Sequence, residues 1–255
     1  MKEDDYSINT LKEILRSLGI ESARLIEERI DLQYTYLKNL QRKLENNEVF
    51  LKLIILNALV SYQLSTTGEN WWREFSEYNW NDISEGEVIE EYVTFLSNSR
   101  GNKRLLNGKI KRIYKLKYYL KNISLRKFKY YYNNMNALRA GIVKELNTKR
   151  YSKTVVFAIK IFGYGSRIVF NEFIPYPYNI EIPKDSRIEK YTKKLTNKNV
   201  LKFWNEISIE TGVPPLHIDS ILWPALGNWE RVKNPLKSLG NDIYQKIHRL
   251  MELNN

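Results

Sequence analysis

Apolar positions recur three and four residues apart along most of this chain, the period of helices that bury one face. Leu11, Ile14, Leu15 and Leu18 share such a face over 9–18, which Ser7 or Asn9 can cap and Gly19 can end. Leu25, Ile26, Ile30, Leu37 and Leu40 carry the period through a mixed-charge segment, 21–44. The most apolar run, 49–62, is interrupted by Lys52 and too short to span a bilayer, so it predicts a buried helix. Ser84-Glu85-Gly86-Glu87 has capping-box spacing and predicts a helix to about Leu96. Ser152 can cap a helix that starts at Lys153, and Gly163 and Gly165 are expected to stop it. Pro175, Pro177 and Pro183 keep the following connector from being helical throughout. Asp185 is placed to cap a helix over 186–195, another over 200–211 ends at Gly212, and Pro215 opens a third that Pro224 limits. An amphipathic helix over 235–253 completes the pattern. The prediction is all-α with about ten helices and no internal repeat.

Charge adds the first functional constraint. The 255 residues carry a net +12 with a pI near 9.5, and a polyanionic partner is the usual reason for such an excess. The span 92–144 contains no acidic residue, yet holds fourteen lysines and arginines interleaved with tyrosines such as Tyr118, Tyr119, Tyr130, Tyr131 and Tyr132. Solvated helix faces mix signs because like charges repel at i,i+4. An all-basic span suits phosphates and gives largely sequence-independent affinity. With no cysteine, disulfides, thiolate zinc sites and iron–sulfur clusters are excluded. Two histidines without a second ligand argue against a histidine metal site, so neither metal nor cofactor is expected. The start M-K-E-D-D-Y-S is acidic and lacks an apolar signal core, which points to the cytoplasm and to no membrane attachment.

Several residues have a structural and a chemical reading side by side. Lys153 alone is an ordinary surface cation, and Asp185 alone is a helix cap. Together, a lysine and an aspartate can attack an electron-poor sugar carbon and offset the charge that develops. Phe157 follows Lys153 by four residues, so both project from one helix face. Gln33 in mid-helix is a surface residue or a reader of base edges. Trp71 and Trp72 are core anchors or a cleft wall whose indole N–H donates to a ligand. Asp219 and Trp223, four apart, are a solvated aspartate beside a core tryptophan or two members of a site.

In order, basic helices, a short hairpin, K-T-V-V-F and I-P-x-D-x-R resemble the helix-hairpin-helix DNA glycosylases. The 32-residue separation of Lys153 and Asp185, with G-E-N-W-W-R-E-F-S and G-V-P-P-L-H-I-D-S-I-L-W, is similar to one branch, the archaeal 8-oxoguanine DNA glycosylase/lyases. The resemblance runs from about Ile26 to the C-terminal helix. It departs at the hairpin, where N-T-K-R-Y-S replaces the superfamily's G-V-G.

The resemblance implies two helical subdomains with the active site in the cleft between them: 50–168 with the basic helices, hairpin and Lys153, and 1–49 plus 169–255 with Asp185 and Trp223. It implies base excision repair of 8-oxoguanine, with Lys153 forming a Schiff base, Asp185 as the catalytic carboxylate, and strand nicking by β-elimination. Phe157 and Trp223 would sandwich the flipped base. Gln33, Asp219 and Trp72, the last chosen over Trp71 by its distance from R-E-F-S, would bond its edges. The amine must be neutral to attack, and Lys149, Arg150 and Lys160 would favour that form. The expected partner is duplex DNA containing 8-oxoguanine, with single-stranded DNA as a second substrate, and the expected state is a monomer.

Two other readings compete. A non-catalytic basic helical protein would explain the charge but not the Lys153/Asp185 and Trp72/Phe157/Trp223 sets. A metal-dependent nuclease would need clustered carboxylates, and the basic half supplies none.

Overall fold

The computed structural model describes residues 3–80, 83–84 and 86–253, and every regular element among them is a helix. In chain order these are α1 (Glu3–Arg29), α2 (Leu32–Lys43), α3 (Asn47–Leu59), α4 (Gly68–Glu77) and α5 (Val88–Asn98). The basic span then forms α6 (Leu106–Lys115), α7 (Lys117–Lys121), α8 (Leu125–Asn133) and α9 (Met135–Leu146). After it come α10 (Lys153–Phe170), α11 (Ser186–Leu195), α12 (Val200–Thr211), α13 (Pro215–Gly227), α14 (Trp229–Leu239) and α15 (Asn241–Glu252). They form two compact units, Leu32–Ile174 and the discontinuous Met1–Asp31 with Pro175–Asn255. The junctions fall at 31/32 and 174/175 rather than at the expected 49/50 and 168/169, so α2 belongs to the continuous unit.

The continuous unit is built on α3 and α10, which pack together along their length. From Val49 to Leu59 every residue of α3 is buried. Asn46 caps it, its Oδ1 accepting from the backbone N–H of Glu48 and Val49. The single cation of this helix, Lys52, reaches Glu48 Oε1 at 2.6 Å. Burial without a partner would cost several kcal/mol, so the pair explains how a lysine survives there.

Gly163 and Gly165 do not stop α10. They lie inside it, and the helix continues to Phe170 before Asn171 turns left-handed at φ 50°. A Cβ on Gly165 would sit 2.1 Å from Ile54 Cδ1 and 3.3 Å from Leu51 Cδ2. The glycine is there to let two buried helices approach, and the close approach outweighs its poor helix propensity.

Other boundaries also moved. Ser7 and Asn9 lie inside α1, which starts at Glu3. Gly19, at non-helical φ 64° and ψ -171°, does end the first helical stretch as expected, and a second stretch of α1 follows directly after the kink. The 21–44 segment divides into α1 and α2 at Ile30–Asp31. The last predicted helix is two, separated at Gly240 with φ 149°, and Pro235 lies inside α14. Pro224 lies inside α13, where Asn228 N–H still bonds to its carbonyl at 3.2 Å. A proline removes only its own donor and costs a kink, which surrounding packing can offset. Of the capping box, Glu85 lies outside the described residues. Ser84 Oγ bonds the Glu87 carboxylate at 2.6 Å, and α5 begins one residue later.

The discontinuous unit has its own core. Leu11, Leu15, Leu18, Ala23 and Ile26 of α1 meet Phe203, Trp204 and Ile207 of α12 and Ile218, Ile221 and Leu222 of α13. Val232 and Leu236 of α14 and Ile247 and Leu250 of α15 complete it. Beneath α13, fully buried Glu27 Oε1 lies 2.8 Å from His217 Nδ1, and His217 Nε2 accepts the Tyr176 backbone N–H at 3.3 Å. This chain of bonds ties the start of the proline connector to both α1 and α13.

Candidate active site

Within the continuous unit, α9 and α10 are joined by a short turn. Asn147 adopts φ 47°, ψ 58°, the left-handed position that glycine or asparagine tolerates best. Thr148 N–H bonds the Val143 carbonyl at 3.2 Å, and Ser152 N–H bonds Lys149 O at 2.9 Å. The Ser152 side chain makes no cap bond, although the residue sits at the N-cap as predicted; its carbonyl accepts from Val155 and Val156 instead.

Lys153 is therefore the first residue of α10, and it is exposed. From Thr154 to Arg167 every residue of the helix is buried except Phe157. Lys153 and Phe157, one turn apart, are thus what this part of α10 leaves open. Phe157 meets Trp72 of α4 edge to face, with centroids 6.1 Å apart. Trp72 is itself 1% exposed, wedged beside Phe75 at 5.6 Å.

The neighbouring Trp71 is committed elsewhere: it stacks on Phe95 at 5.4 Å and donates its indole N–H to Ser61 Oγ at 2.9 Å. The indole N–H of Trp72 donates to no group among the described residues. Of the two tryptophans, only Trp72 touches Phe157 and has a donor to offer. Gln33, the second residue of α2, is 3% exposed. The surface reading of this glutamine is thereby overturned, because the first turn of α2 packs into the unit.

The other expected residues lie in the discontinuous unit. Asp185 caps α11 as predicted, its Oδ1 accepting from Arg187 N–H at 3.0 Å and Ile188 N–H at 2.9 Å. Its Oδ2 accepts the Trp223 indole N–H at 2.9 Å. The carboxylate is thus held by three donors on two helices, and one of them is the tryptophan singled out with it. Trp223 is half-buried, while Asp219, one turn before it on α13, is 3% exposed and so is not the solvated aspartate of the plainer reading.

Sequence reasoning missed two features. The guanidinium of Arg187 lies 4.5 Å from the centroid of the Trp223 ring. The I-P-x-D-x-R spacing named the arginine, but no periodicity announces a contact between α11 and α13. The second feature is Lys109, fully buried in α6, whose amine donates to Asn102 Oδ1 and lies 4.7 Å from the Tyr62 ring centroid. Burial lowers its pKa to about 8. Burial likewise lowers Arg112, whose Nη2 donates to Thr154 Oγ1 at 2.9 Å, next to Lys153.

The basic span is accordingly mixed in use. Lys109 and Arg139 are buried, Arg112 is bonded to Thr154, and Lys117 and Lys129 pair with Glu90 and Glu172. The other nine of its fourteen cations are exposed, among them Arg100, Lys103, Lys111, Lys121, Arg126 and Lys144. Exposed tyrosines accompany them, Tyr118 at 78% and Tyr130 at 49%. No group of three metal-ligating side chains occurs among the described residues, and none of their helices is long and apolar enough to cross a membrane.

This all-helical architecture is that of a DNA glycosylase. It superposes with a TM-score of 0.78 on the crystal structure of an 8-oxoguanosine-complexed 8-oxoguanine DNA glycosylase from Pyrobaculum aerophilum, covering 95% of this chain and 96% of that one at 25% identity. The chain belongs to the AGOG family of N-glycosylase/DNA lyases, whose model matches residues 12–253. It is 54% identical over 249 residues to an N-glycosylase/DNA lyase of Methanococcus maripaludis, with 96% of each chain covered. A protein of the same name from Thermococcus kodakarensis is 49% identical over 98% of this chain and 94% of its own. The protein is therefore a DNA repair enzyme that combines glycosylase and strand-cleaving lyase activities, and the binding-only and nuclease readings are set aside.

Proposed function

We propose that this enzyme removes 8-oxoguanine from duplex DNA, and from single strands as well, through a covalent lysine intermediate at Lys153. Two observations support the reading, one in each unit: α10 leaves Lys153 and Phe157 open side by side, and the Asp185 carboxylate is anchored to the Trp223 indole. The bound nucleoside in the Pyrobaculum relative supports the choice of lesion.

A base inside a duplex is out of reach and must be flipped out at a cost of a few kcal/mol. Stacking on Phe157 and Trp223 offsets this cost, at roughly 1–3 kcal/mol per base. 8-Oxoguanine differs from guanine by a carbonyl at C8 and a proton on N7. Asp219 accepts, Trp72 donates, and Gln33 does both, so the three can separate the two bases. The neutral amine of Lys153 forms a bond to C1′ as the C1′–N9 bond breaks and the departing base takes up a proton. Asp185 offsets the positive charge on the sugar. Loss of the amine proton and opening of the ring give the Schiff base. Removal of a C2′ proton then expels the 3′ phosphate, leaving the strand nicked.

The exposed cations of 92–144 supply the phosphate contacts that hold either kind of strand. The enzyme acts as a monomer on cytoplasmic, nucleoid DNA and needs no metal. The test is a duplex with one 8-oxoguanine opposite cytosine, incubated with the enzyme, EDTA and borohydride. A covalent protein–DNA band that vanishes in Lys153→Gln supports the proposal. Excision that persists in that variant removes Lys153 from the mechanism, and no excision by the wild type removes 8-oxoguanine as the substrate.

A further inference from the structure

Arg187 is placed unusually for a half-buried arginine. Among the described residues no carboxylate pairs with it, and its Nη1 is buried without a hydrogen-bond partner. Its backbone N–H is one of the donors to Asp185 Oδ1, and its guanidinium lies over Trp223, whose indole N–H holds Asp185 Oδ2. Room for the guanidinium comes from Gly227, one turn after Trp223 on α13. A Cβ there would lie 2.5 Å from Nη1 and 3.1 Å from Cζ. An unpaired buried donor costs free energy, and a charge without a counter-ion gains little from burial. What the arrangement does secure is one face of one ring.

We propose that Arg187 is a positioning residue. It backs one face of Trp223 and fixes the ring as a plate for the flipped base, and Gly227 is a glycine so that it can. The inference rests on the proposed roles of Trp223 and Asp185. Among the described residues, two polar contacts hold the Trp223 ring, the indole N–H bond to Asp185 and the cation over its face. With the second removed, the ring pivots about the first and a base stacks on a moving surface.

The consequence separates two steps of one reaction. Excision of 8-oxoguanine needs the plate, whereas Schiff-base formation at a preformed abasic site has no base to stack. Single-turnover excision and borohydride trapping on an abasic duplex are compared for wild type, Arg187→Met, Arg187→Lys and Gly227→Ala. Arg187→Met is expected to slow excision about 10- to 100-fold, the equivalent of one stacked base, and to leave abasic trapping within about twofold of wild type. Arg187→Lys recovers part of the loss. Gly227→Ala slows excision without lowering the melting temperature, since its methyl displaces only the end of a flexible side chain, and the Arg187→Met/Gly227→Ala double variant is no slower than Arg187→Met.

Excision and trapping falling together would assign Arg187 to Asp185 or to the fold. A uniform loss of DNA affinity with a salt slope reduced by about 1 would make it a phosphate contact instead. Unchanged excision would overturn the proposal outright. If the wild type proves inactive on 8-oxoguanine, the coupling is read from stability. Melting temperatures of Arg187→Met, Trp223→Leu and the double variant are non-additive if the cation holds the ring, and additive shifts reject it.

Discussion

Lys153 and Asp185 are held in opposite ways. Lys153 stands exposed at the head of a buried helix, and its amine makes no bond among the described residues. Asp185 is bonded to two backbone donors and an indole, all within 3.0 Å. The surroundings differ too. Half-buried Arg112 sits beside the lysine through Thr154, whereas every donor to the carboxylate is neutral. A nucleophile that joins the substrate must follow it from attack through ring opening to elimination, so freedom on a rigid base suits it. A carboxylate that offsets charge gains from not having to reorganise.

The comparison breaks most sharply at the lysine. Lys153→Gln removes the exposed, unbonded amine, so excision and trapping should fall below detection with melting temperature and duplex binding unchanged. A variant that also melts early would show that the residue serves the fold. Asp185→Asn is the counterpart. Asparagine caps a helix about as well as aspartate, so excision should drop by about 10²–10⁴ while stability holds. Asp185→Ala should add about 1 kcal/mol of destabilisation from the lost cap. Equal melting temperatures for the Asn and Ala variants would argue against the anchoring described.

The rigid base of the lysine can be tested directly. Gly165→Ala places a methyl 2.1 Å from Ile54 Cδ1, and overpacking of this kind costs about 1–3 kcal/mol, partly offset by alanine's better helix propensity. A lower melting temperature is expected, with excision impaired only near the transition; an unchanged melting temperature would mean that α3 and α10 are not tightly packed.

A last prediction concerns the buried positive charge. Burial lowers Lys109 to about 8 from 10.5, so between those values the unfolded chain binds more protons than the folded one. Its contribution to stability is thus present above pH 10.5 and lost as pH falls through about 8. Wild type should gain on Lys109→Met as pH rises from about 8 to 10, read from paired melting curves. A gap that does not change with pH would place the ammonium in a better-solvated site.

What could be read from the sequence followed a physical divide. Asp185 as a cap and Lys153 as a helix start were legible because capping is local, set by a few residues on either side. Gly163, Gly165 and Pro224 misled for the same reason. Their local meaning is a break, and packing by residues more than a hundred positions away kept the helix going at Gly165. Gln33 and Asp219 look like surface residues by type, and only the assembled units bury them. The contact of Arg187 with Trp223 joins two helices across 36 residues and depends on an atom that Gly227 lacks. Such a juxtaposition leaves no trace in spacing.

The division of the chain at 31/32 and 174/175 has a consequence for its birth. Within its unit, the apolar face of α1, with Leu11, Leu15 and Leu18, packs into a core supplied from beyond Pro175. At roughly 5–20 residues per second, the ribosome takes about 7–30 s to make the intervening unit, which can fold meanwhile. For that interval the first helix waits with a greasy stripe uncovered.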